Sequence, residues 1–99
     1  MEILKQRRAP SSVALRSVTL TVRPGVGKNV AVTGTFTGWS NEGIPMKPVG
    51  DGRFRALLQL APGLHEYRLV VDGIWTDDLD AARSVANPYG GENAVLEVS

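Results

Sequence analysis

The strongest constraint in this sequence is that short stretches of period two are repeatedly cut off by turn residues. Phe54, Ala56, Leu58 and Leu60 alternate with Arg53, Arg55 and Gln59. Side chains of an extended chain point to opposite faces in turn, so this pattern buries one face and wets the other. Val18, Leu20 and Val22 alternate in the same way with Thr19, Thr21 and Arg23. So do Tyr67, Leu69 and Val71, expected inward, with Glu66, Arg68 and Val70, expected outward. Between these stretches stand Pro24-Gly25-Val26-Gly27, Gly50-Asp51-Gly52, Ala61-Pro62-Gly63 and Asp72-Gly73, the last a strong hairpin signal. Such frequent turning explains why 99 residues contain 11 glycines and 6 prolines. The expected class is all-β.

Four further strands are weaker. Residues 29–35 put Val30 and Val32 on one face and Ala31 and Thr33 on the other, with Gly34 inward where a neighbour can pack closely. Residues 45–48 fit only a short edge strand, because Pro45 and Pro48 lack a ladder donor. Ile74-Trp75-Thr76 returns from the hairpin, and residues 93–98 close the chain with Leu96 and Val98 inward. Residues 77–86 have some helical character but are too short and too acidic for a stable helix. The sum is about seven short antiparallel strands, the pattern of a β-sandwich. Residues 1–12 have no clear period and are expected to be a flexible tail; residues 13–99 form one domain.

Several function classes lose support on composition. A net charge of +1 gives no broad field for nucleic acid or an anionic membrane. Lys5, Arg7 and Arg8 are too few for a basic arm. With no cysteine, thiolate metal sites and cysteine nucleophiles are excluded. No apolar run has transmembrane length, and residues 1–10 lack a signal-peptide core, so a cytoplasmic location is expected. His65, the one histidine, has no nucleophile elbow to serve. Asp77, Asp78 and Asp80 lie on one short segment, whereas hydrolysis needs carboxylates facing each other across a cleft; a solvated loop is expected. Residues 24–28 resemble a phosphate loop, but Val22 and Asn29 break the pattern at both ends. No catalytic residue, metal ligand or cofactor is assigned, and the chain is not expected to be an enzyme.

The two tryptophans are more informative. Trp39 lies in a Gly/Ser/Asn loop after a strand, and Trp75 lies just past the Asp-Gly turn. Neither is in the middle of an inward-facing run, and a large amphipathic ring on a loop marks a candidate binding surface. One face of a glucose ring is lined with C–H groups. An indole can stack on it while the equatorial hydroxyls stay wet. Two indoles set at an angle match a curved α-1,4-glucan, whereas a flat β-glucan suits a coplanar strip. Arg and Asn side chains can then hydrogen-bond pairs of hydroxyls.

Three stretches carry a family resemblance: Val32-Thr33-Gly34-Thr35-Phe36-Thr37-Gly38-Trp39, then residues 62–75 from Pro62-Gly63-Leu64-His65 to Gly73-Ile74-Trp75, then Asn87-Pro88-Tyr89-Gly90-Gly91-Glu92-Asn93 running on to Leu96. Over residues 18–98 the sequence resembles the family 48 carbohydrate-binding modules. These include the glycogen-binding domain of the AMP-activated kinase β subunit and the N-terminal early-set domains of isoamylases and branching enzymes. The resemblance implies an immunoglobulin-like early-set sandwich that binds glycogen, starch or malto-oligosaccharides without catalysis. Trp39 and Trp75 match its stacking tryptophans, and Arg68 matches a basic residue that contacts sugar hydroxyls. Asn93 matches a hydrogen-bonding asparagine, and Tyr89 a bulky aliphatic position. Gly91 departs from the pattern, which has a hydroxyl side chain there. The alternative is an interaction module that docks a glucan-metabolising enzyme or kinase, with little or no sugar binding.

Overall fold

A computed structural model of the chain describes residues 14–25, 27 and 29–99. The tail expected over residues 1–12 lies outside the described residues. The strands are β1 (Arg16–Val22), β2 (Val30–Gly34), β3 (Ile44–Pro45), β4 (Lys47–Gly50), β5 (Arg53–Leu60), β6 (Gly63–Val71), β7 (Ile74–Thr76), β8 (Ser84–Ala86) and β9 (Glu92–Val98). One sheet has the order β1-β5-β4 and the other the order β3-β2-β6-β9-β8, with β7 also paired to β6. Every pairing is antiparallel. The inward residues of both sheets, Leu20, Val22, Phe54, Leu58 and Leu60 from one and Val32, Tyr67, Leu69 and Val98 from the other, form a single buried cluster. Two antiparallel sheets sharing one core make a β-sandwich, as the alternation predicts.

The described strands number nine rather than about seven. The Pro45–Pro48 stretch is not one edge strand but two, β3 and β4, on the edges of different sheets. Met46 sits between them, buried, and its N–H bonds to the Val30 carbonyl. Both prolines still lie on edge strands, where a missing donor costs nothing. Residues 77–86 contain no helix; they end in β8, an outer strand too short to leave a period in sequence. Val70 points outward as expected yet is buried, with Ala31 and Trp75 across from it on the two neighbouring strands.

The loop that folds over Thr33 on this face begins at Gly34. A Cβ there would collide with the Glu66 carbonyl oxygen and lie 3.0 Å from both the Tyr67 Cα and the Phe36 ring. Here β2 runs too close to β6 for any side chain. The chain leaves β2 through a 3-10 turn at Thr35–Thr37 instead of continuing as a strand. Gly34→Ala should therefore destabilise the domain by about 2 kcal/mol or more, as overpacking against backbone does. Chemical denaturation should show this as a lower midpoint with an unchanged slope.

Candidate functional site

The outer face of the larger sheet is built around β6. On one edge β6 pairs with β2 throughout Tyr67 to Val71. Its other edge is shared. β9 pairs with β6 up to Tyr67, and β7 takes over from Leu69. Arg68 stands at the junction, on the outer face. Trp75 lies across from Val70 on that face. Glu66 lies across from Val95, and Asn93 is two residues before Val95 on the same side of β9. Two strands meeting end to end along one edge thus bring Trp75 and Asn93 to either side of Arg68.

Trp39 arrives from the opposite direction. The Thr33 side chain points outward from β2 but is fully buried. Its hydroxyl donates to the Ser40 carbonyl (2.7 Å) and accepts from the Thr37 hydroxyl (2.8 Å). The Thr37 oxygen also accepts the Gly34 N–H (3.0 Å). These bonds fold residues 35–40 back over the sheet. Gly38 and Trp39 both adopt positive φ, 64° and 60°, and the Trp39 N–H bonds to the Gly34 carbonyl (3.0 Å). A left-handed conformation at a tryptophan is uncommon and costs about 1 kcal/mol or more. The threonine bonds offset this cost and hold the indole over the sheet.

The result is one cleft of about 450 Å³. Trp39, Arg68, Trp75, Tyr89 and Asn93, the five residues named from sequence, all line it. The two indoles are near-parallel, with centroids 6.3 Å apart and planes 25° apart. Tyr89 is 90% exposed at the tip of the loop before β9. Thr35, Glu66, Asn87 and Pro88 also line the cleft and were not named from sequence. Glu66 is on the outward phase of β6, so its place on the face was legible but not its role. For Asn87 the Asn-Pro-Tyr turn was the only signal.

The polar groups are held in place. Arg68 Nη2 donates to Asp77 Oδ1 at 2.5 Å, and Arg68 Nε is buried without a partner. Asn87 Oδ1 accepts the N–H groups of Tyr89 (2.9 Å) and Gly91 (3.1 Å). Asn87 Nδ2 donates to Asn93 Oδ1 (3.1 Å), and Asn93 Nδ2 donates to Glu66 Oε1 (2.9 Å). A Cβ at Gly91 would lie 3.2 Å from Arg68 Nη2 and 3.3 Å from Asp77 Oδ1. Glycine at 91 thus leaves room for that ion pair to close beneath the loop.

The acidic segment is not simply a solvated loop. Asp77 pairs with Arg68, and Asp78 Oδ2 accepts the Tyr67 hydroxyl at 2.6 Å. Among the described residues no three histidine or carboxylate side chains form a metal-holding group. His65 donates from Nε2 to the Ala61 carbonyl (2.7 Å) and meets the Phe36 ring edge-on, so its place is structural.

Residues 18–99 match the family model described as the glycogen recognition site of AMP-activated protein kinase. The chain belongs to this family. The module is 36% identical over 98 residues to Protein PTST homolog 2, chloroplastic, of Arabidopsis thaliana, covering 96% of this chain and 18% of that protein. It is 33% identical over 98 residues to Protein FLOURY ENDOSPERM 6, chloroplastic, of Oryza sativa subsp. japonica, again covering 96% and 18%. With human 5'-AMP-activated protein kinase subunit beta-1 it shares 35% identity over 74 residues, 75% of this chain and 26% of that protein. The chain therefore spans about a fifth to a quarter of these relatives. The family resemblance carried by the three sequence stretches is borne out: the module belongs to the glycogen-recognition family.

Burial, then the Asp78 hydrogen bond, raise the Tyr67 phenol well above its ordinary range. A raised folded-state pKa stabilises the fold fully below the unfolded value and is lost as pH rises past it. Stability should fall above about pH 10, where the unfolded phenol ionises and the folded one does not. Unfolding curves between pH 8 and 11 should show this loss in the parent chain, and Tyr67→Phe should remove that component. Thr33→Val should cost roughly 1–3 kcal/mol, because it strands the Ser40 carbonyl, while the Thr37 hydroxyl keeps its bonds to the Gly34 backbone. Its tryptophan emission should shift as the Trp39 loop loosens.

Proposed function

We propose that this module binds α-1,4-glucans without catalysis, with Trp39 and Trp75 packed on the C–H faces of glucose rings. The observation that carries this reading is convergence: five residues scattered between positions 39 and 93 line one cleft that contains both indoles. Arg68 and Asn93 supply hydroxyl-binding groups, and Tyr89 supplies an exposed ring at the rim. The 25° between the indoles is shallow for a curved ligand. Pro88 and Tyr89 also line the cleft and add rim surface beyond the indole pair, against which a curved chain can lie. Ring stacking on an open surface gives modest affinity, in the micromolar to millimolar range, about −4 to −8 kcal/mol.

The kinase relatives are subunits by name. This supports the further proposal that the module brings glucan to a kinase or a glucan-metabolising enzyme within a longer protein or assembly.

A tryptophan-fluorescence titration tests the binding. Maltoheptaose and β-cyclodextrin should give a saturable change, and cellohexaose none. Trp75→Ala should weaken maltoheptaose at least tenfold, a loss of about 1.4 kcal/mol. Retention of full affinity in that variant would remove the indole platform from the proposal.

A further inference from the structure

Asn87 matches no stacking or hydroxyl-binding position, yet it makes more hydrogen bonds than any other side chain of the cleft. Its Oδ1 clasps the Tyr89 and Gly91 N–H groups, its own N–H bonds to the Gly91 carbonyl (2.9 Å), and its Nδ2 donates to Asn93. With Oδ1 committed to backbone N–H groups, Asn87 can present only its N–H side to Asn93. The Asn93 carbonyl oxygen must then face Asn87, and its amide nitrogen must face the Glu66 carboxylate, which only accepts. Asn87, Asn93 and Glu66 form a chain of hydrogen bonds with one direction. That direction decides where Asn93 offers its remaining N–H and where its remaining lone pair.

Resting on the glucan-binding reading, we propose that Asn87 is a positioning residue that fixes the Asn93 amide in one orientation, and that Glu66 is the acceptor anchoring the far end. Asn87 itself is half-buried and acts through Asn93. The relay also couples the Tyr89 loop to Asn93, because the same Asn87 amide holds both.

Substitutions that reverse the direction provide the test. Asn87→Asp keeps the clasp on Tyr89 and Gly91 but replaces the donor to Asn93 with an acceptor. Glu66→Gln alone should leave Tm nearly unchanged, since a glutamine oxygen can accept the same bond. Combining N87D with E66Q permits a turned-over Asn93, which donates to the carboxylate now at position 87 and accepts from the amide now at position 66. Thermal unfolding and maltoheptaose calorimetry are measured on all four proteins. N87D should lower Tm by about 5 °C and weaken binding roughly five- to tenfold. The double variant should recover most of the Tm while its affinity stays low, because the donor and acceptor that Asn93 shows to the ligand have exchanged places. Recovery of affinity together with Tm would reduce Asn87 to a purely structural role and overturn the proposal. So would an N87D variant with unchanged affinity. If the parent chain itself binds no maltoheptaose, the glucan-binding reading fails first, and the recognition role of the relay fails with it.

Discussion

Every backbone donor and acceptor of a buried strand must find a partner, and β6 meets this demand in an unusual way. One edge pairs with β2 over Tyr67 to Val71, while the other is filled by two strands in succession, β9 up to Tyr67 and β7 from Leu69. The chain between β7 and β9, residues 77–91, has to leave the sheet at that junction and return to it. On the way it packs Ala81 against the core and adds β8 to the free edge of β9, and it carries Asp77, Asn87 and Tyr89 with it. The cleft is a consequence of this handover. Its floor is the outward phase of β6, and its walls are the connections that the pairing forces out of the sheet.

The two kinds of interaction in the site do different work. The shared core of the sandwich carries the stability, since burying a large aliphatic side chain is worth about 1.5–3 kcal/mol. The Arg68–Asp77 pair is partly exposed, at 18% and 31% for the two side chains, and such pairs contribute little net stability. Their value lies in geometry. Asp77 takes Arg68 at one nitrogen and so tethers that end of the guanidinium, while the Asn87–Asn93–Glu66 chain fixes an amide beside it. A sugar-binding surface needs donors and acceptors fixed in place, because each hydroxyl is already well satisfied by water and only a preformed match returns what desolvation removes.

Gly34 and Gly91 show how backbone requirements enter the site. Gly34 lets β2 approach the Glu66 carbonyl and starts the turn that raises Trp39. Gly91 replaces the hydroxyl side chain of the family pattern, and the space it leaves is taken by Arg68 and Asp77.

Much of this was legible in the sequence. Period-two alternation set the inward phase of β1, β5 and β6, because side-chain direction in a strand is local geometry. The outward placement of Arg68 followed from that phase, and the three family-like stretches pointed to the two tryptophans, Tyr89 and Asn93. The split of Pro45 and Pro48 between two sheets was not legible, nor was β8, because two or three residues hold no period. Only the tertiary structure decided that Thr33 would be buried under the Trp39 loop, that Asp77 and Asp78 would take Arg68 and Tyr67 as partners, and that Asn87 would hold Asn93. Each of these depends on which distant segments share a face. Alternation along one strand determines which way a side chain points, but only the pairing of strands determines what it meets there.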